Sequence, residues 1–438
     1  MPRASAPSTA ATSPARVLGR GNRLPKILVR PPGPRSRAFA RRASVHEAPG
    51  INAWYRGTPP LFWQGARGAN VVDVDGNRFI DLTAGFGAAA VGHANPRVIQ
   101  AVAEQSSRLL HGLGDVHSHT PRVELAQRLC RIAPVDHAQV YFTVTGSEAV
   151  EVALKTAMLA SGKAGVLAFD GAYHGLTFGA LAATSRAAFR EPFLGHLTPH
   201  LTRLPYGASL LKLAPALRSG IGCVLVEPIL GREGIVSPPE GWLADLAALC
   251  RSSGVLLIAD EIFTGFGRSG RLFAVDRDHV RPDLLCCGKA LGGGMPIGAV
   301  IGRRELMSAW RTEGEALHTS TFVAHPVACA AAIAVLDLLR EQQLARRAMR
   351  LGRSVKSILR SCSQRPDLLV RGHGLLWAIE LEGPERAARV VRGALERGVI
   401  LLAGGPRGCV LQIAPPLVIT PTQLETALGI LIDLLDCA

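Results

Sequence analysis

Asp283-Leu284-Leu285-Cys286-Cys287-Gly288-Lys289-Ala290-Leu291-Gly292-Gly293-Gly294-Met295-Pro296-Ile297-Gly298 joins an apolar run to a lysine set among glycines. Leu284 to Cys287 reads as a short buried strand closed by a glycine. Lys289 follows at the strand's end, and the three glycines and proline beyond it argue against regular structure. The chain holds six lysines against 43 arginines, so a lysine placed here carries more information than usual. Removing an amine from water lowers its pKa and makes it a nucleophile towards aldehydes. From these residues alone, a lysine that merely caps a strand serves equally well.

A second run breaks the tie. Val255-Leu256-Leu257-Ile258-Ala259 is again continuous and apolar, as strands buried on both faces are. It delivers Asp260 to its carboxyl end, where open α/β sheets gather their ligand sites. A buried lysine and a buried aspartate at two such ends suit pyridoxal phosphate: the lysine forms a Schiff base with the aldehyde, and the carboxylate keeps the pyridine nitrogen protonated. The run continues Glu261-Ile262-Phe263-Thr264-Gly265-Phe266-Gly267-Arg268-Ser269-Gly270. Together with Gly288 to Ala299 it resembles the paired motifs of the class III (omega-type) aminotransferases, which are fold-type I pyridoxal-phosphate enzymes. Both halves stand intact at the family's separation, and the resemblance extends from about residue 45 to the end. It implies an α/β fold: a large domain on a mostly parallel central sheet flanked by helices, and a smaller α+β domain drawn from both chain ends.

Composition agrees with a large enzyme. The chain has 438 residues, 48% of them hydrophobic and 19% charged, enough for a substantial core. No apolar run approaches the roughly 18 residues of a membrane-spanning helix. Nine cysteines lie scattered, with Cys286 and Cys287 adjacent, a pattern that suggests neither disulfides nor zinc and fits a reducing, cytoplasmic setting. The net charge of +15 is concentrated at the start: residues 1 to 42 carry nine arginines, Lys26 and no acid. A transit peptide, a nucleic-acid patch and a flexible or subunit-wrapping arm compete for this segment. Pro31, Pro32 and Pro34 break any amphipathic helix there and aromatic residues are not interleaved, which favours the arm. No metal site, nucleic-acid partner or membrane partner is expected.

Taken in order, Ala69 to Leu82 reads as a hairpin with Asp75-Gly76 at its turn, and Asn95-Pro96 opens a helix through Val98 and Gln105. Gln139 to Thr143 is a strand, and Gly146-Ser147-Glu148 starts a helix with Ala149, Ala153, Ala157 and Ala160 along one face. Free N–H groups there suit an anion, and Ser147 can cap the helix, although many helices begin this way for capping alone. The resemblance turns Gly146 and Ser147 into the phosphate cup. It places Tyr173 on the pyridine ring opposite Ile262, adds His174 and Glu227 to the cofactor site, and gives Thr321 to the phosphate of a neighbouring subunit. A helix is expected from Pro326 to Arg350. The implied division is a basic arm at 1–44, small-domain parts at 45–95 and 343–438, and a large domain at 96–342.

The departures from the family concern substrate. Enzymes for ornithine or 4-aminobutyrate carry an arginine where this chain has Leu176, and ornithine enzymes a tyrosine where it has Phe86. The usual gate glutamate and its partner arginine correspond to Arg232 and Gln412, the gate glutamine to Leu230, and a glutamine near the cofactor to Phe263. A buried carboxylate without a partner costs on the order of several kcal/mol. Phe86, Leu176, Leu230 and Phe263 therefore suggest an apolar pocket unsuited to ornithine or 4-aminobutyrate, with Arg232 either receiving a carboxylate or facing solvent. The resemblance implies a homodimeric aminotransferase using an amine donor and a keto-acid acceptor, with Lys289, Asp260 and Tyr173 catalytic. Racemisation or aminomutation on the same scaffold is the alternative. A non-catalytic cofactor-fold protein is disfavoured by intact Lys289 and Asp260.

Overall fold

The computed structural model describes residues 14–51, 60–217 and 220–437. Its centre is a seven-stranded sheet in the order Ala138–Thr143, Gly298–Arg303, Leu284–Cys287, Leu256–Asp260, Ile221–Val226, Gly165–Phe169, Leu201–Leu204. Gly298–Arg303 runs antiparallel to both its neighbours, and all other pairings are parallel. The continuous apolar runs follow from this position. Alternate side chains point to opposite faces, so Leu285 and Cys287 enter one core cluster while Leu284 and Cys286 enter another. Leu257 and Ala259 divide from Ile258 in the same way. Helices cover both faces, and Gly146–Ser161 buries Ala149, Ala153 and Ala157 against the second cluster. Ala160 differs from expectation: it is exposed.

Two smaller antiparallel sheets adjoin. One contains Trp63–Arg67, Asn70–Asp73 and Arg78–Asp81, the last two being the expected hairpin, and gains Val399–Ile400 in parallel pairing with Arg78–Asp81. The other contains Leu368–His373, Leu376–Leu381, Val410–Ile413 and Leu402–Gly404. The pairing of Ile80 with Val399 supports the proposed small domain drawn from 45–95 and 343–438.

Three expectations are corrected. The basic arm is laid along the hairpin from residue 14 onward, where a flexible segment was expected, while 1–13 lie outside the described residues. Asn77 Oδ1 accepts from the N–H groups of Leu28 and Val29 at 2.8 and 2.9 Å. Pro34 opens a helix, Pro34–His46, because proline at the first helical position loses no bond. The Asp75 carboxylate accepts from the N–H groups of Arg35 and Ser36, so the hairpin turn caps the arm helix. Second, the helix expected from Pro326 to Arg350 is two, Pro326–Glu341 and Leu344–Ile358, parted at Gln343 in left-handed conformation with φ 46°. The turn lets the second helix bury Leu344, Ala348, Leu351 and Val355 against a different surface. Third, Lys289–Gly292 forms one 3-10 turn, since the glycines begin only at its last position. Among the described residues, no helix is long and apolar enough to cross a membrane.

Candidate active site

The carboxyl ends of five strands converge on one cavity of about 860 Å3. Thr143 leads to Gly146 and Ser147, Phe169 to Tyr173 and His174, Val226 to Glu227, Leu256–Asp260 to Ile262 and Phe263, and Cys287 to Lys289. Phe86, Leu176, Arg232 and Gln412 line the same space. Two expected residues do not. Leu230 is 2% exposed and packs beneath, because its backbone pairs in both directions with Val236 and turns the side chain towards Gly171. Thr321 lies on the surface and, among the described residues, does not line the cavity.

Lys289 has φ 39°, a left-handed conformation that costs a non-glycine residue on the order of 1–3 kcal/mol. That strain directs its amine inward, 4.6 Å from the centre of the Phe263 ring. Part of the side chain is open to the cavity, yet burial of the amine lowers its pKa. Asp260 and Glu227 oppose the shift, and Arg232 adds to it.

Asp260 Oδ1 accepts from the Ile262 N–H at 3.0 Å, and Oδ2 lies 2.8 Å from His174 Nδ1. His174 therefore sits behind the aspartate, fully buried, and its Nε2 has no hydrogen-bond partner among the described residues. Burial pushes the Glu227 carboxyl up to about 7, with Asp260 adding to the rise and His174 opposing it. Glu227 accepts from the N–H groups of Tyr173 and Gly231 at 2.8 and 3.0 Å, which joins the strand ends beneath the cavity.

At the opposite end stands the start of Gly146–Ser161. Ser147 does not cap this helix. Thr145 does, accepting from the Glu148 N–H at 3.1 Å. Ser147 Oγ instead lies 2.7 Å from Thr177 Oγ1, which donates to Glu151 at 2.6 Å. Gly175, at φ 128°, makes this approach possible: a Cβ there would lie 2.3 Å from Ser147 Oγ. The Ser147–Glu151 spacing of one helical turn was the available signal for this network. Arg186 and the loop from 403 to 408 also line the cavity, and no motif marks them.

An amine on one wall, a carboxylate between strands and free N–H groups at a helix start are the donors that pyridoxal phosphate requires. The model of the family described as Aminotransferase class-III matches residues 51–435. The chain belongs to that family. It is a pyridoxal-phosphate-dependent aminotransferase, and Gly146, Ser147, Asp260 and Lys289 fit the group. A protein of Methanopyrus kandleri named acetylornithine aminotransferase is 41% identical over 370 residues, 84% of this chain and 92% of that one. A protein of Pyrococcus horikoshii named alanine/serine racemase is 34% identical over 442 residues, 93% of this chain and 92% of that one. The structure of ornithine aminotransferase from Toxoplasma gondii superposes with a TM-score of 0.85 at 32% identity, covering 92% of this chain and 95% of that one. These comparisons establish the aminotransferase family, with an amine donor and a keto-acid acceptor as substrates.

Proposed function

We propose that this aminotransferase takes the amino group from an ω-amine whose far end carries a carboxylate and an uncharged amide, of the acetylornithine kind, and passes it to a 2-oxo acid. The observation that carries the reading is the shared lining of the cavity: Lys289 and the Asp260–His174 pair, the apolar Phe86, Leu176 and Phe263, and the cationic Arg232. The names of the relatives run against the expectation that the substrate is neither ornithine nor 4-aminobutyrate, and an acylated ornithine fits the apolar lining better than ornithine with its free ammonium.

Bound in this cavity, pyridoxal phosphate supplies an aldehyde for amines and a ring that takes up the electron pair left by a departing proton. Lys289, its pKa lowered by burial, takes the proton from the carbon bearing the amine and delivers it on the other side of the transfer. Asp260, positioned by His174, holds a proton at the pyridine nitrogen. Tyr173 and Ile262 flank the ring, Gly146 and Ser147 receive the phosphate, and Glu227 ties the loop of Tyr173 to the floor. Phe86, Leu176 and Phe263 exclude water, while Gln412, whose Nε2 donates to Gly231 O at 3.1 Å, shapes the wall. Exposed Thr321 would serve the site of a second copy, and exposed Leu317 and Phe322 beside it support a homodimer. The scattered cysteines support a cytoplasmic setting.

Purified holoenzyme is to be assayed with N-acetylornithine, ornithine and 4-aminobutyrate against pyruvate and 2-oxoglutarate. N-acetylornithine is expected to be the best donor; preference for either free amino acid would overturn the substrate reading. Racemisation is the second reading. The name of the Pyrococcus horikoshii relative, alanine/serine racemase, is what supports it. Loss of optical activity from an L-amino acid without any keto acid formed would decide for it.

A further inference from the structure

A side pocket of about 250 Å3 opens beside Tyr173 and shares Tyr173, Arg186, Arg232 and Pro406 with the main cavity. Resting on the reading above, we propose that Arg186 and Arg232 together form a carboxylate subsite in this side pocket, which receives the end of the substrate remote from the reacting amine. The two positions where relatives for ornithine are expected to hold arginine are here Leu176 and Gln412, so carboxylate recognition has moved to a different part of the wall.

Three observations support the assignment. Both guanidiniums stand over the Phe189 ring, Arg186 at 5.6 Å and Arg232 at 5.2 Å from its centre, and Arg232 also lies 4.7 Å from the centre of Tyr173. Aromatic faces thus fix two cations beside each other at the mouth of the site. Among the described residues, neither arginine makes an ion pair with a carboxylate, and the Arg232 guanidinium makes no hydrogen bond. Arg186 uses one nitrogen, Nη2, which donates to Gly405 O at 2.7 Å, and the Gly405 N–H donates to Arg232 O at 3.2 Å. One loop residue therefore joins the two arginines and sets their separation. Burial, then Arg232, lowers the pKa of Arg186, as expected for a cation awaiting an anion. Glu233 also lines the pocket; its charge and that of Arg186 favour each other, but among the described residues the two carry no ion pair or hydrogen bond to one another.

The test compares Arg186→Gln and Arg232→Gln with the unaltered holoenzyme on N-acetylornithine and on N-acetylputrescine, the same amine without its carboxylate. Each variant is expected to lose about ten- to a hundredfold more in kcat/KM for the first than for the second. Glutarate binding, measured by calorimetry, is expected to weaken by the same factor, and Arg353→Gln on the surface serves as the unaffected control. Arg232→Gln leaves the backbone tie to Gly405 in place, so a disturbed loop in Arg186→Gln does not obscure the answer. Equal losses with both amines, or glutarate binding unchanged in Arg232→Gln, overturns the subsite. If the unaltered enzyme uses neither amine, the acetylornithine reading fails by itself and the glutarate titration alone decides the subsite.

Discussion

His174 Nδ1 lies 2.8 Å from Asp260 Oδ2, with both side chains buried at the carboxyl ends of two different strands. Asp260→Ala leaves His174 with neither ring nitrogen bonded, and it removes the acceptor of the Ile262 N–H. The apoprotein is expected to remain folded while losing about 1–3 kcal/mol of stability in denaturant titration. The half-reaction of the loaded enzyme should slow by orders of magnitude, because charge at the ring is no longer balanced. Because the two groups act as a unit, Asp260→Ala combined with His174→Ala should cost less stability than the two losses added. Unchanged single-turnover rates in Asp260→Ala would assign the pyridine nitrogen to another group.

Lys289 is the covalent anchor in the proposed site. Borohydride treatment of the yellow protein should add the cofactor's mass to the peptide containing Lys289. Lys289→Ala should show no such label, release the cofactor on gel filtration and lose turnover. Label on another peptide, or turnover at the original rate, would contradict the assignment.

Glu261 lies beneath the site, bonded to Thr264 and to the Val275 N–H, and burial pushes its carboxyl up to about 7. Its folded pKa is raised, so the native state binds more protons than the unfolded chain between about 4.5 and 7. The stability this confers is fully present below the unfolded value and is lost as pH rises through 7. Glu261→Gln should flatten that part of the Tm profile of the apoprotein; a slope identical to the unaltered protein would place the titration elsewhere.

Phe263 is held between two glycines: a Cβ at Gly231 would lie 2.4 Å from the ring and one at Gly87 2.9 Å. Gly231→Ala has to displace the ring, whose opposite edge is closed by Gly87. A loss of about 1–3 kcal/mol is expected, together with reduced turnover. Shortening the ring in Gly231→Ala/Phe263→Ala should relieve part of the strain, so the double variant loses less stability than the two single losses added. Full additivity would show that the ring is free to move.

The subunit arrangement has its own test. Sedimentation should give a homodimer, and Thr321→Ala should weaken cofactor retention without changing that state. A monomer with full activity would exclude shared sites.

The amino-acid sequence by itself determined three strands of the central sheet and put Asp260 and Lys289 at the carboxyl ends of two of them. Leu256–Asp260 and Leu284–Cys287 are apolar at every position but the last of the first, Asp260. Burial on both faces demands that composition, and a polar residue is tolerated only where the strand meets the cavity. Asp260 and Lys289 were legible for that local reason. So were Gly146, with its helix start, and the Asp75–Gly76 turn.

What the tertiary structure decided are contacts between distant segments. His174 meets Asp260 across 86 positions, and Arg186 reaches Gly405 across 219. Leu230 and Arg232 are two residues apart, yet one is buried beneath the cavity and the other lines it, because backbone pairing with Val236 sets which way each side chain points. Gln343 ends a helix without glycine or proline, since the break is forced by where Leu344 and Leu351 find a surface to bury. A motif records which residues a strand end delivers. The direction of a loop side chain depends on packing between segments far apart in the chain, and no local pattern encodes it.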